Sequence, residues 1–310
     1  MEPRLKIYNC SPLIRATTGL LQVSDVHFLA LSSSRIAYRL YENKEATTDR
    51  RCLLLHGAGV AGDITYSPLV PYLTDWRWML VPDIKGMGES FHLHGKEAPV
   101  TITELTDDID ALLEHLKWQD FDMIGYSLGG LIALNLNYRR VIAGQSAIKM
   151  ALMEPASLDR EDLSELTEVR KNYRQASNII RETGDVEQGV AYFMDGVSPN
   201  RRKLPVAEAT TKSRLAHRPY GFSYALDAVT NHIDILTHEP NHRVDMVHAA
   251  KNVFLFSGEL SNEHLRKYYQ QLSEQNEGWQ HKVMSACDHS LPFQKPRQIA
   301  NLINHWFSPN

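Results

Sequence analysis

From residue 52 onward the apolar positions alternate between two rhythms. Cys52-Leu53-Leu54-Leu55 is apolar at every position and stops at His56-Gly57-Ala58-Gly59. A short run that is apolar on both faces suits a strand buried in a parallel sheet. Residues 102–116 instead carry Leu105, Ile109, Leu112, Leu113 and Leu116, the spacing of an amphipathic helix. The same reading predicts strands over 76–82, 121–126 and 148–154, and helices over 64–73 and 128–141. It resumes near the end with a strand over 252–256, a helix over 262–275, a strand over 280–285 and a helix over 296–307. Upstream, residues 26–31 and 35–41 read as strands joined through Ser32-Ser33-Ser34, after an N-terminal arm over 1–25. Strand–helix alternation with short connections predicts an α/β fold, a mostly parallel eight-stranded sheet flanked by helices.

Residues 155–240 interrupt the rhythm. Segments 160–182, 186–195 and 205–217 read as helices set off by Gly184, Pro199 and Pro205, and no buried-strand run occurs there. We expect an inserted helical lid at 155–240 on a core formed by 26–154 and 241–310. Phe193, Met194, Tyr220, Phe222 and Tyr224 could line an apolar pocket beneath it or pack it onto the core. Residues 201–218 carry a local charge of +5, from six cations against Glu208. Such a run either receives an anionic substrate group or forms a solvated helix face.

Composition narrows the functions available. The 310 residues are 43% hydrophobic and 23% charged with net charge −4, an ordinary globular profile without the cationic surface that nucleic acid requires. The three cysteines, Cys10, Cys52 and Cys287, are too far apart for a CxxC pair, so neither a zinc ribbon nor a disulfide framework is expected. With no apolar leader behind Met1-Glu2-Pro3-Arg4 and no membrane-spanning run, the expectation is a cytoplasmic protein. No cofactor motif and no metal cluster is apparent.

Gly125-Tyr126-Ser127-Leu128-Gly129 lies between a predicted strand and a predicted helix. A sharp strand-to-helix turn lifts a serine hydroxyl out of the sheet edge, and small flanking residues let the backbone turn. A neutral hydroxyl needs a base, and a carboxylate to orient that base. His289, on a loop after the last strand, stands where the base is required. The amides of Ala58 and Leu128 are placed to hold an oxyanion. Asp83-Ile84-Lys85-Gly86-Met87-Gly88 reads as a structural turn.

Residues 53–59, 83–90 and 125–130 and then His289, in that order along the chain, resemble the α/β-hydrolase superfamily over residues 26–310. The resemblance is to capped small-molecule hydrolases: carboxylesterases, lactonases, thioesterases and carbon–carbon bond hydrolases. Members that open epoxides or remove halides carry aspartate at the elbow, so Ser127 favours an acyl-enzyme or a serine-assisted general-base route. Many relatives hold the triad acid in a Gly-x-x-Asp turn after a late strand, but here that turn reads Gly258-Glu259-Leu260-Ser261. Glu154, followed by Pro155 at a strand end, resembles a subset with its acid there and is the preferred choice. Glu259, Glu263 and Asp288 are alternatives. The expectation is a serine hydrolase with catalytic Ser127, His289 and Glu154, cleaving an ester, thioester or lactone of a small, partly apolar acid. Its partner would be a small-molecule substrate, anionic or carrier-linked in one variant, with no cofactor and no metal. A carbon–carbon hydrolase, a lyase, an acyltransferase or a non-catalytic ligand binder on the same scaffold are the rivals.

Overall fold

The computed structural model describes residues 21–308. Most of the expected N-terminal arm, and Cys10 with it, lies outside them. Ten strands are found among the described residues: β1 (Leu21–Val23), β2 (His27–Ala30), β3 (Ser34–Asn43), β4 (Arg51–Leu55), β5 (Trp78–Pro82), β6 (Phe91–His92), β7 (Asp122–Tyr126), β8 (Met150–Met153), β9 (Val253–Gly258) and β10 (Trp279–Met284). They form one sheet in the order β1-β3-β5-β4-β7-β8-β9-β10, with β2 and β6 paired to β3. From β5 to β10 neighbouring strands are parallel, and β3 joins them antiparallel through β5. The fold class is the expected one, while the strand count is ten rather than eight. The additions, β1 and β6, span three and two residues and pair with stretches of the ten-residue β3.

The parallel strands are buried on both faces, which is why their sequences run apolar without alternation. Along β4, Leu53 and Leu55 enter one core layer while Cys52 and Leu54 enter the other. Met123 and Ile124 of β7 divide in the same way, as do Leu152 and Met153 of β8. Helices α1 (Gly62–Tyr66), α2 (Ile102–His115) and α3 (Leu128–Ile142) follow β4, β6 and β7. The helix expected over 64–73 is broken, because Pro68 and Pro71 withdraw backbone donors. It survives as α1 and one 3-10 turn at Val70–Tyr72. Helix α2 begins with a reciprocal capping box between Thr101 and Glu104.

Between β8 and β9 come α4 (Leu163–Asn178), α5 (Val186–Val197), α6 (Pro205–Leu215), α7 (Pro219–His238) and α8 (Pro240–Ala249), with no strand among them. The three helical segments expected here correspond to α4, α5 and α6. Helix α7 was not expected, although at 20 residues it is the longest helix of the described residues. It packs on α4 at one level and on α2 and α8 at others. Its buried positions, such as Phe222, Ala225, Leu226, Ala228 and Val229, therefore wrap a broad arc and blur the single stripe that marks a surface helix. Helices α9 (Glu263–Gln275), α10 (Leu291–Gln294) and α11 (Pro296–Phe307) complete the fold. No helix of the described residues is long and apolar enough to cross a membrane.

The start of α3 lies hard against β4. A Cβ at Gly129 would stand 2.0 Å from the carbonyl oxygen of Leu55, a backbone atom with nowhere to go. Gly129→Ala is expected to destabilise the protein by about 3 kcal/mol or more in urea unfolding. Gly144→Ala, where φ is +82° and nothing lies within 4 Å, should cost only about 1 to 2 kcal/mol. Equal losses at the two positions would contradict the close approach.

Candidate active site

The parallel strands point their C-terminal ends to one rim, where crevices of open α/β sheets lie. Ser127 follows β7 there with φ 51° and ψ −114°, a left-handed conformation rare for a side-chain-bearing residue. Its amide donates to Met153 O at 2.9 Å, and its carbonyl accepts from Ala156 N at 3.0 Å. The turn is thus fastened to the end of β8. Glu154 follows β8 with φ 46° and is also left-handed, its amide donating to Phe256 O at 3.1 Å.

The structure brings Ser127, His289 and Glu154 into one chain of contacts. His289 Nδ1 lies 2.6 Å from Glu154 Oε2, and Nε2 lies 3.3 Å from Ser127 Oγ. Glu154 is 1% exposed and its second oxygen accepts from Gly258 N at 2.7 Å, so both carboxylate oxygens are satisfied without water. The other candidate acids are occupied elsewhere. Glu259 Oε2 accepts from Ala286 N at 2.7 Å, and Glu263 is solvent-facing beside Lys267 at 2.8 Å. Asp288 accepts from Ser290 N at 2.8 Å and from Gln294 Nε2 at 2.9 Å, which ties its own loop to α10. Ser261 is buried and its hydroxyl has no partner among the described residues.

Two contacts of His289 were not anticipated. Its amide donates to Ser198 Oγ at 2.9 Å, from the residue that ends α5, and its ring lies 5.2 Å from that of Tyr126. Tyr126 sits inside the five-residue motif and could have been noticed there. Ser198 carries no local signal beyond the Pro199 that follows it.

Leu128 follows Ser127 directly and Ala58 lines the cleft beside it, and among the described residues neither amide has an acceptor. The peptide joining Gly57 to Ala58 is held by His56. Its Nδ1 lies 2.7 Å from Gly57 O, while Nε2 accepts from Ile84 N at 2.9 Å. In a trans peptide the N–H points opposite to the C=O. Pinning the Gly57 carbonyl therefore aims the Ala58 N–H the other way. Asp83 holds the next turn, accepting from Gly62 N at 2.7 Å and Glu89 N at 2.8 Å, which is the structural role expected for that stretch.

Ala58, Val60, Phe193, Met194, Leu215 and Phe293 line the cleft over Ser127. It is narrow: about 20 Å³ is open to the centre of a water molecule, room for little more than one. Of the aromatic residues that sequence alone left between pocket lining and lid packing, Phe193 reaches the cleft. Phe222 packs edge-on behind it at 5.2 Å. Tyr220 is 46% exposed and Tyr224 faces the Arg181 guanidinium, so neither lines it.

Burial pushes the His56 pKa below its ordinary value. Its contacts also require a neutral ring: Gly57 O needs a proton on Nδ1, and Ile84 N–H needs the lone pair of Nε2. With the folded-state pKa below the unfolded value of about 6.5, the stability tied to this ring is present above that pH. It is lost as pH falls below it. Nitrogen-15 NMR should show the Nδ1–H tautomer at neutral pH and no protonation near pH 6.5. A midpoint above the unfolded value would contradict this arrangement.

The sequence profile of the alpha/beta hydrolase family matches residues 52–302. No curated protein matches the chain significantly. Among solved structures, an enol-lactonase from Burkholderia xenovorans LB400 is 19% identical, with 91% of this chain and 100% of that chain covered at a TM-score of 0.66. A thermophilic esterase from Thermogutta terrifontis is 18% identical, with 91% and 98% covered and a TM-score of 0.66. A haloalkane dehalogenase from Bradyrhizobium elkani is 18% identical, with 92% and 97% covered and a TM-score of 0.68. At such identities the likeness is one of fold. With the profile spanning most of its length, the chain belongs to the alpha/beta hydrolase family.

Proposed function

We propose that the protein is a serine hydrolase that cleaves an ester, thioester or lactone of a small, partly apolar acid through an acyl-enzyme. The observation that carries this reading is the run from Ser127 Oγ to His289 Nε2 at 3.3 Å and from His289 Nδ1 to Glu154 Oε2 at 2.6 Å. His289 takes the Ser127 proton as Oγ attacks the carbonyl, and returns it to the leaving group. Glu154 holds the ring with its proton on Nδ1 and stabilises the imidazolium that forms. The Ala58 and Leu128 amides receive the charge that develops on the carbonyl oxygen. Water then repeats the sequence on the acyl-enzyme.

A hydroxyl at the elbow favours attack on an acyl carbon over displacement at a saturated one, which needs a carboxylate nucleophile. Residues 155–240 act as a lid on this reading. The cleft holds little more than a water, so α5 and α6, which supply Met194 and Leu215 to its wall, move aside for a substrate.

Ser127→Ala should lower ester turnover by on the order of 10⁴-fold or more while unfolding as the wild type does. Glu154→Gln should lower kcat by on the order of 10³- to 10⁴-fold, with Glu259→Gln and Glu263→Gln near wild type. Undiminished cleavage by Ser127→Ala would end the proposal. Full activity in Glu154→Gln beside a collapse in either of the others would reassign the acid.

A further inference from the structure

The cations of residues 201–218 divide sharply once their partners are known. Arg201 pairs with Asp195 at 2.7 Å and Glu208 at 2.9 Å, and Lys203 pairs with Asp195 at 2.9 Å. Lys212 pairs with Glu187, and Arg218 with Glu97 at 2.7 Å. Arg202 is exposed at the surface. Arg214 differs from all of these. It is partly buried, and among the described residues it has neither a hydrogen bond nor a carboxylate partner. It lines the cleft together with Ser127, His289, Thr211 and Ser290.

The Arg214 guanidinium lies over the ring of Phe293, 4.2 Å from its centroid. Phe293 meets Tyr126 edge-on at 6.1 Å, and Tyr126 lies 5.2 Å from the His289 ring. A cation–π contact with the Phe293 ring uses none of the guanidinium's N–H donors. The N–H groups on its edge stay free, and these form the fork that matches a carboxylate. Desolvating a cation without a counter-ion is unfavourable, and burial already lowers the Arg214 pKa. An anion delivered by the substrate would offset that cost.

We propose that Arg214 anchors a carboxylate carried by the substrate at a position remote from the bond cleaved at Ser127, so that the preferred substrates are half-esters of dicarboxylic acids or their equivalents. This deepens the hydrolase reading and rests on it for the bond cleaved. A carboxylate is favoured over a phosphate group because, among the described residues, Arg214 is the one Lys or Arg lining the cleft, a single positive charge that matches the single negative charge of a carboxylate.

The test compares p-nitrophenyl half-esters of succinate, glutarate and adipate with the length-matched butyrate, pentanoate and hexanoate esters. The readout is the ratio of kcat/KM within each matched pair. The wild type should prefer at least one half-ester, mainly through KM. Arg214→Met should reduce that preference by on the order of 10- to 100-fold, and Arg214→Lys should retain part of it. The ratio is internal to each variant, so a general loss of folding or activity does not mimic the result. An equal preference in wild type and Arg214→Met, or no half-ester preferred by the wild type, would overturn the proposal.

Calorimetry separates this outcome from failure of the hydrolase reading. Ser127→Ala should bind at least one of free succinate, glutarate and adipate, and Ser127→Ala/Arg214→Met should not. That pattern without turnover of any ester by the wild type would leave the anchor standing and remove only the hydrolytic role. Equal binding by the two variants, or none by Ser127→Ala, would overturn the anchor.

Discussion

Two strand ends are knotted together at the rim of the sheet, and the geometry of the site follows from that knot. The Ser127 amide bonds to Met153 O at 2.9 Å, and its carbonyl receives the Ala156 amide at 3.0 Å. Glu154, between them, bonds back to Phe256 O at 3.1 Å. Both Ser127 and Glu154 are forced to positive φ, a departure that costs on the order of 1 to 3 kcal/mol at each residue. Close contact makes the arrangement possible, since a Cβ on Gly130 would stand 2.7 Å from Pro155 Cβ. Burial of β7, β8 and β9 on both faces over-determines these conformations and offsets their strain.

The other parts of the site depend on that knot. Glu154 is held by Gly258 N on one oxygen, so β9 supplies a donor at the place where a Gly-x-x-Asp turn would supply the carboxylate. His289 is brought to Glu154 by a loop that is itself fastened through Asp288, Gln294 and Ser198. The Ala58 amide is aimed by His56, which is anchored in turn on Ile84. In each case a backbone peptide or a buried side chain fixes an orientation in advance. That is the condition for electrostatic stabilisation of a transition state without reorganisation.

What could be read from the sequence was local. The apolar runs of β4, β7 and β8 and the glycines of the Ser127 turn report their own burial and backbone geometry, so the sheet, the turn and His289 were placed closely. Glu154 was legible because strand ends share one rim. Partner choice was not legible. Nothing near Glu259 in sequence says that the Ala286 amide, 27 residues away, would occupy it. The charge run at 201–218 could not be divided without knowing that Asp195, Glu187 and Glu97 lie opposite. Helix α7 is not legible because it is buried against several elements at once, and sequence alone left open whether Tyr220 and Tyr224 line a pocket or pack the lid; the turn of α7 directs both away from the cleft.

The proposed chemistry turns on acylation of Ser127 during turnover. Mixing the enzyme with p-nitrophenyl acetate, quenching rapidly in acid and mapping the adduct by peptide mass spectrometry tests it directly. An acetyl group on Ser127 that forms within a turnover and decays as product appears is the expected result. Nitrophenol release with no adduct, or with the adduct on another residue, would contradict it.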